Sequence, residues 1–350
     1  MIAKLLELLY YKVLINIIVS SKKTVIYIDV VSNAKSVKTA KKEFHSTTLT
    51  SEMVSFVHQY SAESPFFYIA FLDNSKEQGA LPTCSRAKYG YYGLDEGFYE
   101  SVCLQKTWSC YTSREDIYAV EKAYNAIGLD FIFSPFIVLS YIYKDKMGST
   151  LSMYILVEEN YLSLSIYEEG ILLFAQHLDL ENSQDTAEMV LDEGLETQDD
   201  LILDDSEELL LDDDLGDELE VLDDLGDLED LDSLEDIDEF ATVDMEEELL
   251  QEEEELNTKD TNDSTDNLDG GEFNEDYQRF GLIQSSLKEF YSDERYNSNF
   301  IEFVYIADAI GVSKDLKHYL EEEMFLTVYV RKIELHTIVN DLVKRELGIK

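Results

Sequence analysis

Residues 300–320 read FIEFVYIADAIGVSKDLKHYL and combine residue types that could hold a phosphate group. The run 300–306 is apolar enough for a buried strand, and from residue 313 the apolar residues recur at helical spacing. A strand that leads directly into a helix is where α/β proteins often bind phosphate, usually with glycines that let backbone N–H groups reach the ligand. The connection here is ADAIGV, in which Asp308 and Gly311 are the candidate residues. The stretch therefore predicts a nucleotide loop or an altered form of one.

Other site chemistries find little support in the sequence. A catalytic carboxylate pair cannot be distinguished among 75 acidic residues, and no Ser/His/Asp or Cys/His arrangement shows a recognisable elbow or spacing. The five histidines are scattered, and the three cysteines form no CxxC pair, which argues against a structural metal site. We therefore predict no catalytic residue, no metal and no disulfide. The expected state of Cys84, Cys103 and Cys110 is reduced thiols in a cytoplasmic protein.

The elements that would position such a loop occur in a definite order in the first half of the chain. Three strands joined by tight polar turns are followed by a helix that Thr50 caps, and a buried strand follows. After a Gly- and Tyr-rich stretch come a helix with a capping box at Ser113 and Asp116, a short strand, and a helix that Ser134-Pro135 opens. The predicted strands are 13–20, 24–31, 36–44, 66–72 and 129–133.

The second half repeats this order. Three strands joined by short turns are predicted at 151–158, 161–167 and 171–177. Then follow a helix that contains Phe280, Ile283, Leu287 and Phe290, the strand 300–306, the helix from 313, the strand 325–330 and a last helix from about residue 337. The chain thus reads as an α/β protein with a duplicated βββαβαβα order. This order is the architecture of the actin-like ATPase fold, in which two halves close around a nucleotide.

The second half also resembles one family within that fold. The segments YILVEENYLSLSIYEEGILLFAQHL and LIQSSLKEFYSDERYNSNFIEFVYIADAIGVSKDLKHYLEEEMFLTVYV are similar to the second half of the PilM family. These are cytoplasmic actin-like proteins of type IV pilus assembly, related to the cytoplasmic part of GspL in type II secretion. Comparable positions are Ile283, Ser286, Tyr291, Ile306, Leu316 and Leu320. The resemblance implies an inner-membrane partner that is PilN-like and a groove for a short peptide of that partner.

The nucleotide loops depart from the pattern of ATP-binding relatives at three places. Those relatives use glycines because a Cβ keeps backbone N–H groups away from the ligand, and their first two loops carry carboxylates that manage the metal. Here the first turn is SSKK, the Asp-x-Gly positions fall on Leu156 and Glu158, and the paired late glycines fall on Asp308 and Ala309. We therefore expect neither ATP nor magnesium as a cofactor. If the loops do bind a nucleotide, the candidate residues are Ser20, Ser21, Lys22, Glu158, Asp308 and Gly311.

The negative charge is concentrated in one segment. Residues 191–260 contain 34 acidic residues against one lysine, which is about two thirds of the net charge of −48. From Leu219 to Phe240 an apolar residue recurs at every third position, a spacing that drifts around a helix and forms no lasting stripe. Residues 183–272 are therefore predicted to be a disordered insertion within the second half. The first half is predicted to span 1–148, and the second half to consist of 149–182 and 273–350. Its two interpretations are a tether for a basic partner, such as a secretion ATPase, and a solvated spacer.

These patterns lead to one leading hypothesis of function. It is a non-catalytic cytoplasmic scaffold of a type IV pilus-like, type II secretion or DNA-uptake machine, held at the inner membrane through partners because no transmembrane helix is predicted. The acidic charge excludes direct nucleic-acid binding, which depends on neutralising phosphates. The alternatives left open are an active ATPase with altered loops and a filament-forming actin-like protein.

Overall fold

The computed structural model describes residues 10–180 and 270–349, apart from residues 33, 149, 297, 298 and 313; of residues 270–274 it describes only the backbone. The first half consists, in order, of β1 (Lys12–Val19), β2 (Thr24–Ser32), β3 (Lys35–Phe44), α1 (Ser51–Ser61), β4 (Phe66–Leu72), β5 (Gln78–Leu81), a 3₁₀ helix (Arg86–Tyr92), β6 (Tyr99–Leu104), β7 (Trp108–Ser113), α2 (Arg114–Ala123), β8 (Phe131–Phe133) and α3 (Pro135–Ile142). The second half consists of β9 (Ser152–Val157), β10 (Tyr161–Glu168), β11 (Ile171–Asp179), α4 (Gly270–Ser292), β12 (Phe303–Asp308), α5 (Lys314–Glu322), β13 (Thr327–Lys332) and α6 (Leu335–Glu346).

Two five-stranded sheets share the same strand order. The first is β3-β2-β1-β4-β8 and the second is β11-β10-β9-β12-β13. In the first sheet β1, β2 and β3 form an antiparallel meander, and β1 also pairs in parallel with β4. In the second sheet β9, β10 and β11 form the same meander, and β9 also pairs in parallel with β12. With the helices, each half has the predicted βββαβαβα order. The duplicated actin-like ATPase fold is therefore confirmed.

The helices form three layers around the two sheets. Helices α1 and α2 pack on the outer face of the first sheet, and α4 and α5 pack on the outer face of the second. The last helix of each half lies between the sheets: α3 contacts β9 and β10 of the second half, while α6 contacts β1 and β2 of the first. This exchange of helices places one apolar core between the two halves.

The predicted helix starts are confirmed in detail. The hydroxyl oxygens of Thr50, Ser113 and Ser134 accept hydrogen bonds from backbone N–H groups in the first turns of α1, α2 and α3. A capping hydroxyl satisfies one of the amide donors that a helix leaves unpaired at its start. The strand predicted at 300–306 instead begins at Phe303 and ends at Asp308, because it pairs along its whole length with the buried strand β9. That shift places Asp308 in the sheet.

An inserted three-stranded sheet occupies the Gly- and Tyr-rich stretch. Its strand order is β5-β7-β6, and a tight turn at Gln105 and Lys106, both with positive φ, joins β6 to β7. The expectation of reduced thiols is wrong for two of the cysteines, since Cys84 and Cys103 form a disulfide. Their separation of 19 residues gave no signal, and it is the fold of this small sheet that brings their Cα atoms to 5.2 Å. Cys110 is a free, buried thiol.

Part of the predicted insertion lies outside the described residues. Residues 183–269 are among those that the structure does not describe, and α4 begins at Gly270, within the last three residues of the predicted insertion. In the described part of the chain, no helix combines the length and apolar character needed to cross a bilayer.

Candidate functional site

Three connecting segments meet at the carboxyl ends of the central strands. They are the β1–β2 turn at 20–23, the β9–β10 turn at 158–160 and the β12–α5 loop at 309–312. Together they line a cavity of about 240 Å³, which also receives residues from two further loops. The lining residues are Val19, Ser20, Ser21, Thr47, Asn74, Glu158, Glu159, Asn160, Tyr161, Ala309, Ile310 and Leu335. Ligands of open α/β sheets bind at such strand ends, so this cavity is the candidate site.

Two backbone N–H groups of the first turn are already hydrogen-bonded within the protein. The Ser20 N–H donates to the Lys23 carbonyl oxygen at 2.8 Å, and the Ser21 N–H donates across the cleft to Oε2 of Glu159 at 3.2 Å. The Ser21 amide is therefore already bonded to a carboxylate from the opposite half. Lys22 is exposed and lies outside the cavity lining.

The late loop is folded around the buried Asp308 carboxylate. Its Oδ1 accepts from the N–H groups of Ile310 and Gly311 at 3.0 and 2.7 Å, and its Oδ2 accepts from the N–H of Val312 at 3.1 Å. Gly311 supplies the positive φ, +85°, that lets the chain turn around the carboxylate. Three adjacent amides that could have formed an anion-binding nest are thus satisfied by the protein's own side chain.

Glu158 stands out in the second-half turn. Burial, and secondly the negative charge of Asp73, raises the pKa of Glu158 to about 8. Its Oε2 is buried and has no hydrogen-bond partner among the described residues. Asp73 follows β4 and is itself well bonded, since it accepts from the Thr112 hydroxyl at 2.8 Å and from the Ser75 hydroxyl at 2.5 Å. Glu158 is therefore a carboxyl group with one buried oxygen that no described residue hydrogen-bonds.

The structure brings together most of the residues that the sequence singled out. Ser20, Ser21 and Glu158 line the cavity. Asp308 is buried and bonds the N–H of Ile310, which lines it, and Gly311 belongs to the same loop without lining the cavity. Leu156, one of the positions matched to the metal-binding pattern, is fully buried in the apolar core.

Sequence reasoning missed Asp73 and Glu159. Asp73 directly follows the buried strand FFYIAFL, a position at which functional residues often lie, so this signal was present. Glu159 had no such signal, because its role depends on the approach of the opposite turn.

The charge of the cleft differs from that of a phosphate site. Two carboxyl groups, two carboxamides and several hydroxyls line the cavity, and among the described residues that line it none is Lys, Arg or His. Phosphate groups are recognised by cations and by free backbone amides. Among the described residues, no group of three or more His, Cys, Asp or Glu side chains is placed to hold a metal ion.

A second concavity lies between the inserted sheet and the start of α2. It has a volume of about 490 Å³ and is lined by Glu77, Gly93, Asp95, Gly97, Phe98, Tyr99, Ser113, Arg114 and Glu115. Phe98 is 69% exposed at its edge, and Arg114 is engaged by Glu100, with 3.1 Å between Nε and Oε1. The groove thus combines an exposed aromatic side chain with a mostly acidic rim.

Polar contacts also hold the inserted segment to the second half. Lys76 and Asp179 form an ion pair at 2.6 Å. The Arg295 guanidinium lies over the rings of Tyr91 and Tyr92, at 5.8 and 5.6 Å from their centroids. These contacts join the inserted segment to β11 and to the residues that follow α4.

Comparison with sequence families divides the chain in the same way as the sheets do. Residues 10–140 match the family described as "Domain of unknown function (DUF8569)", and residues 153–348 match the family described as "Domain of unknown function (DUF8341)". No curated protein matches the chain in sequence.

Solved structures with a similar arrangement have little sequence in common with this chain. A Bacteroides thetaiotaomicron protein "with actin-like ATPase fold and unknown function" is 12% identical, with a TM-score of 0.41 over 91% of both chains. The "PilM-PilN type IV pilus biogenesis complex" gives 12% identity and a TM-score of 0.44 over 91% of this chain and 87% of that one. The ethanolamine utilization protein EutJ from Carboxydothermus hydrogenoformans gives 9% and 0.37, over 94% and 86%. The fold assignment rests on the strand order described above.

Proposed function

Since this chain belongs to the family described as "Domain of unknown function (DUF8341)", whose description carries no activity, we propose from its site that it is a non-catalytic scaffold. It would use the actin-like fold to bind other components of a type IV pilus-like, type II secretion or DNA-uptake machine. The choice of machine follows from the sequence resemblance of the second half to the PilM family.

One observation carries the non-catalytic part of this proposal. The backbone donors of two nucleotide loops are bonded to the chain's own carboxylates: Ser21 to Glu159, and residues 310–312 to Asp308. A nucleotide would have to displace carboxylates from these amides and enter a cavity that is lined by two carboxyl groups and, among the described residues, by no basic side chain. The cavity of about 240 Å³ is also smaller than the range of about 300–1,000 Å³ found for small-molecule pockets.

A thermal melt with Mg-ATP tests this part. A ligand at about a hundred times its Kd stabilises a protein by roughly 2.7 kcal/mol, which a melt resolves. We expect no shift in Tm with millimolar Mg-ATP or Mg-ADP beyond that of MgCl₂ alone. A nucleotide- and magnesium-dependent rise would contradict the scaffold and indicate an ATPase with altered loops.

The second groove supports a membrane-protein partner. Cytoplasmic segments next to transmembrane helices carry an excess of Lys and Arg. Such a segment complements a groove whose rim contains Glu77, Asp95 and Glu115, and an apolar residue of the segment would pack on Phe98. We therefore place the cytoplasmic peptide of a bitopic, PilN-like inner-membrane protein in this groove, which would hold the scaffold at the inner membrane.

Site-specific photo-crosslinking in the native host tests the groove. A photoreactive amino acid at Phe98 is expected to give one main adduct with a protein that has a single transmembrane helix. The matched control is Tyr118 on α2, which is exposed to a similar degree, 65% against 69%, but lies outside the groove lining. Equal adducts from both positions, or adducts only with proteins that lack a membrane span, would refute this placement.

A further inference from the structure

The outer edge of β6 has backbone groups that are available for strand pairing. Among the described strands β6 pairs only with β7, at one edge of the inserted sheet. The Arg114 N–H donates to the Phe98 carbonyl oxygen at 2.9 Å, which fixes the hydrogen-bond pattern of this antiparallel pair. Successive residues of such a strand point their backbone groups to opposite sides, so every second residue of β6 faces the outer edge. These outward-facing residues are Tyr99, Ser101 and Cys103.

This edge lacks the features that usually prevent strand pairing. Exposed edges are commonly protected by lysines, by proline or by a β-bulge. Strand β3, at the edge of the first sheet, carries lysines at 35, 38, 41 and 42 and a register shift against β2. Strand β6 contains neither lysine nor proline, and its register against β7 is regular. Val102 of β6 is also 59% exposed, so the edge combines unpaired backbone groups with an apolar side chain.

The sequence of β6 is complementary to itself when two copies run antiparallel. With a twofold axis at Ser101, this residue lies opposite itself and Tyr99 lies opposite Cys103, so all three outward-facing residues are paired. Glu100 then lies opposite Val102, and no like charges meet. An axis at Glu100 would place two carboxylates opposite each other, and an axis at Val102 would place Tyr99 opposite the β6–β7 turn. The register centred on Ser101 is therefore favoured.

The two ends of β6 carry opposite charges that match in this register. Asp95 and Glu96 lie in the turn before β6, and Lys106 lies in the turn after it. With the axis at Ser101, the acidic turn of each copy lies beside Lys106 of the other copy. Opposite charges across neighbouring strands stabilise their pairing, and the twofold symmetry forms this contact at both ends. The same patch serves both copies, so the assembly closes at two chains.

We propose that the protein forms a twofold-symmetric dimer in which the β6 strands of two copies pair and join the two inserted sheets into one. Phe98 lies opposite Leu104 of the second copy in this register, and it also borders the second groove. The dimer and the membrane-protein peptide of the proposed function therefore exclude each other. The dimer is the state of the purified scaffold, and the partner peptide separates the two copies.

Sedimentation velocity of the purified full chain over a concentration series tests the dimer. We expect the mass to rise with concentration from 40.3 kDa towards twice that value. Val102→Glu places a carboxylate opposite Glu100 of the second copy, so it should raise the Kd of the dimer by about tenfold or more. Val37→Glu is the matched control on the edge of β3, where Val37 is 56% exposed. It adds the same charge outside the interface and should leave Kd within about twofold.

A charge exchange tests the register. Lys106→Glu brings acidic groups together at both ends of the paired strands, so we expect it to weaken the dimer. Adding Glu96→Lys restores opposite charges and should recover most of the lost affinity. A thermal melt of each variant establishes that it is folded, and recovery in the double variant cannot come from misfolding of the single one.

Several results would overturn the dimer. They are a mass of 40.3 kDa at every concentration, a dimer that Val102→Glu does not weaken, or equal weakening by Val102→Glu and Val37→Glu. A double variant as weak as Lys106→Glu alone would overturn the register centred on Ser101. These measurements use purified protein without nucleotide or membrane partner, so the dimer and the proposed scaffold function can fail independently.

Discussion

The side-chain amide of Asn340, on the last helix of the second half, donates a 2.8 Å hydrogen bond to the Asp29 carboxylate in the first sheet. Asn340 in turn accepts from Asn16 Nδ2 at 3.0 Å, and the Lys344 ammonium lies 2.8 Å from the same Asp29 oxygen. Asp29 is 1% exposed, and its other oxygen accepts from the Ser36 hydroxyl, so Asn340, Lys344 and Ser36 take the place of water around its charge. The last helix is thus positioned on the first sheet by a buried polar network as well as by apolar packing.

The first prediction concerns the cation of this network. Lys344→Met keeps the apolar stem and removes the charge that balances Asp29, so we expect the free energy of unfolding to fall by about 2–3 kcal/mol. Adding Asp29→Asn should restore part of this loss, because the uncompensated charge disappears. The measurement is the urea midpoint of each variant. Lys42→Met, whose pair with Glu52 is exposed, is the control and should cost less than about 1 kcal/mol. Equal losses at both lysines would refute the buried network.

The second prediction concerns the Asp308 loop. Asp308→Ala removes the acceptor of three backbone N–H groups, so we expect a loss of about 2–4 kcal/mol in the free energy of unfolding. Amide hydrogen exchange at residues 310–312 should become about tenfold faster or more, while the core of β12 stays protected. Asp145→Ala, at an exposed position, is the control. Unchanged exchange at these three amides would show that the carboxylate does not hold the loop.

Much of the fold was accessible from the sequence because its signals are local. The hydroxyl caps at Thr50, Ser113 and Ser134 and the two strand meanders depend on residues close in sequence, and the repetition of their order supports each assignment. The inserted sheet had no such signal. Its β6–β7 turn uses Gln105 and Lys106 at positive φ, where glycine or asparagine would have revealed a hairpin.

The site was accessible only in part for the same reason. The positions of Ser21, Glu158 and Asp308 follow from strand ends, and the structure places all three at one cleft. Two further features depend on how closely the two halves approach each other. They are the hydrogen bond from Ser21 to Glu159 and the effect of the Asp73 charge on the pKa of Glu158. No pattern of spacing in one sequence encodes a contact across 138 residues.

The third prediction concerns the disulfide. Closing a loop with a sequence separation of 19 stabilises a chain by about 3 kcal/mol in the loop-entropy model. Cys84→Ser with Cys103→Ser, or reduction with dithiothreitol, should lower the free energy of unfolding by about this amount. Protein taken directly from the host should contain Cys84 and Cys103 as a disulfide, since the fold holds their Cα atoms 5.2 Å apart; recovery of both as thiols would indicate a reducing compartment. Acid-quenched alkylation and mass spectrometry measure that state.

Cys110 provides the internal control for those labelling experiments. It is buried, and burial raises the pKa of its thiol to about 11, so little reactive thiolate forms at pH 8. After reduction under native conditions, Cys84 and Cys103 should react with iodoacetamide well before Cys110, which should react only on unfolding. Rapid labelling of Cys110 in the folded protein would contradict the packing of the inserted sheet.

The fourth prediction concerns the stability of the cleft against pH. The pKa of Glu158 is about 8 in the folded protein, against an ordinary value of 4.5, so the folded state binds more protons between these pH values. Its contribution is most favourable below about pH 4.5 and is lost as the pH rises towards 8. Glu158→Gln removes this dependence, so its stability relative to wild type should rise by at most about 1.4 kcal/mol per pH unit between pH 5 and 8, then level off. Urea midpoints of both proteins across pH 5–9 measure the difference, in which all other titrating groups cancel. A difference that does not change with pH would contradict the raised pKa and mean that Glu158 is already ionised in the folded protein at pH 5.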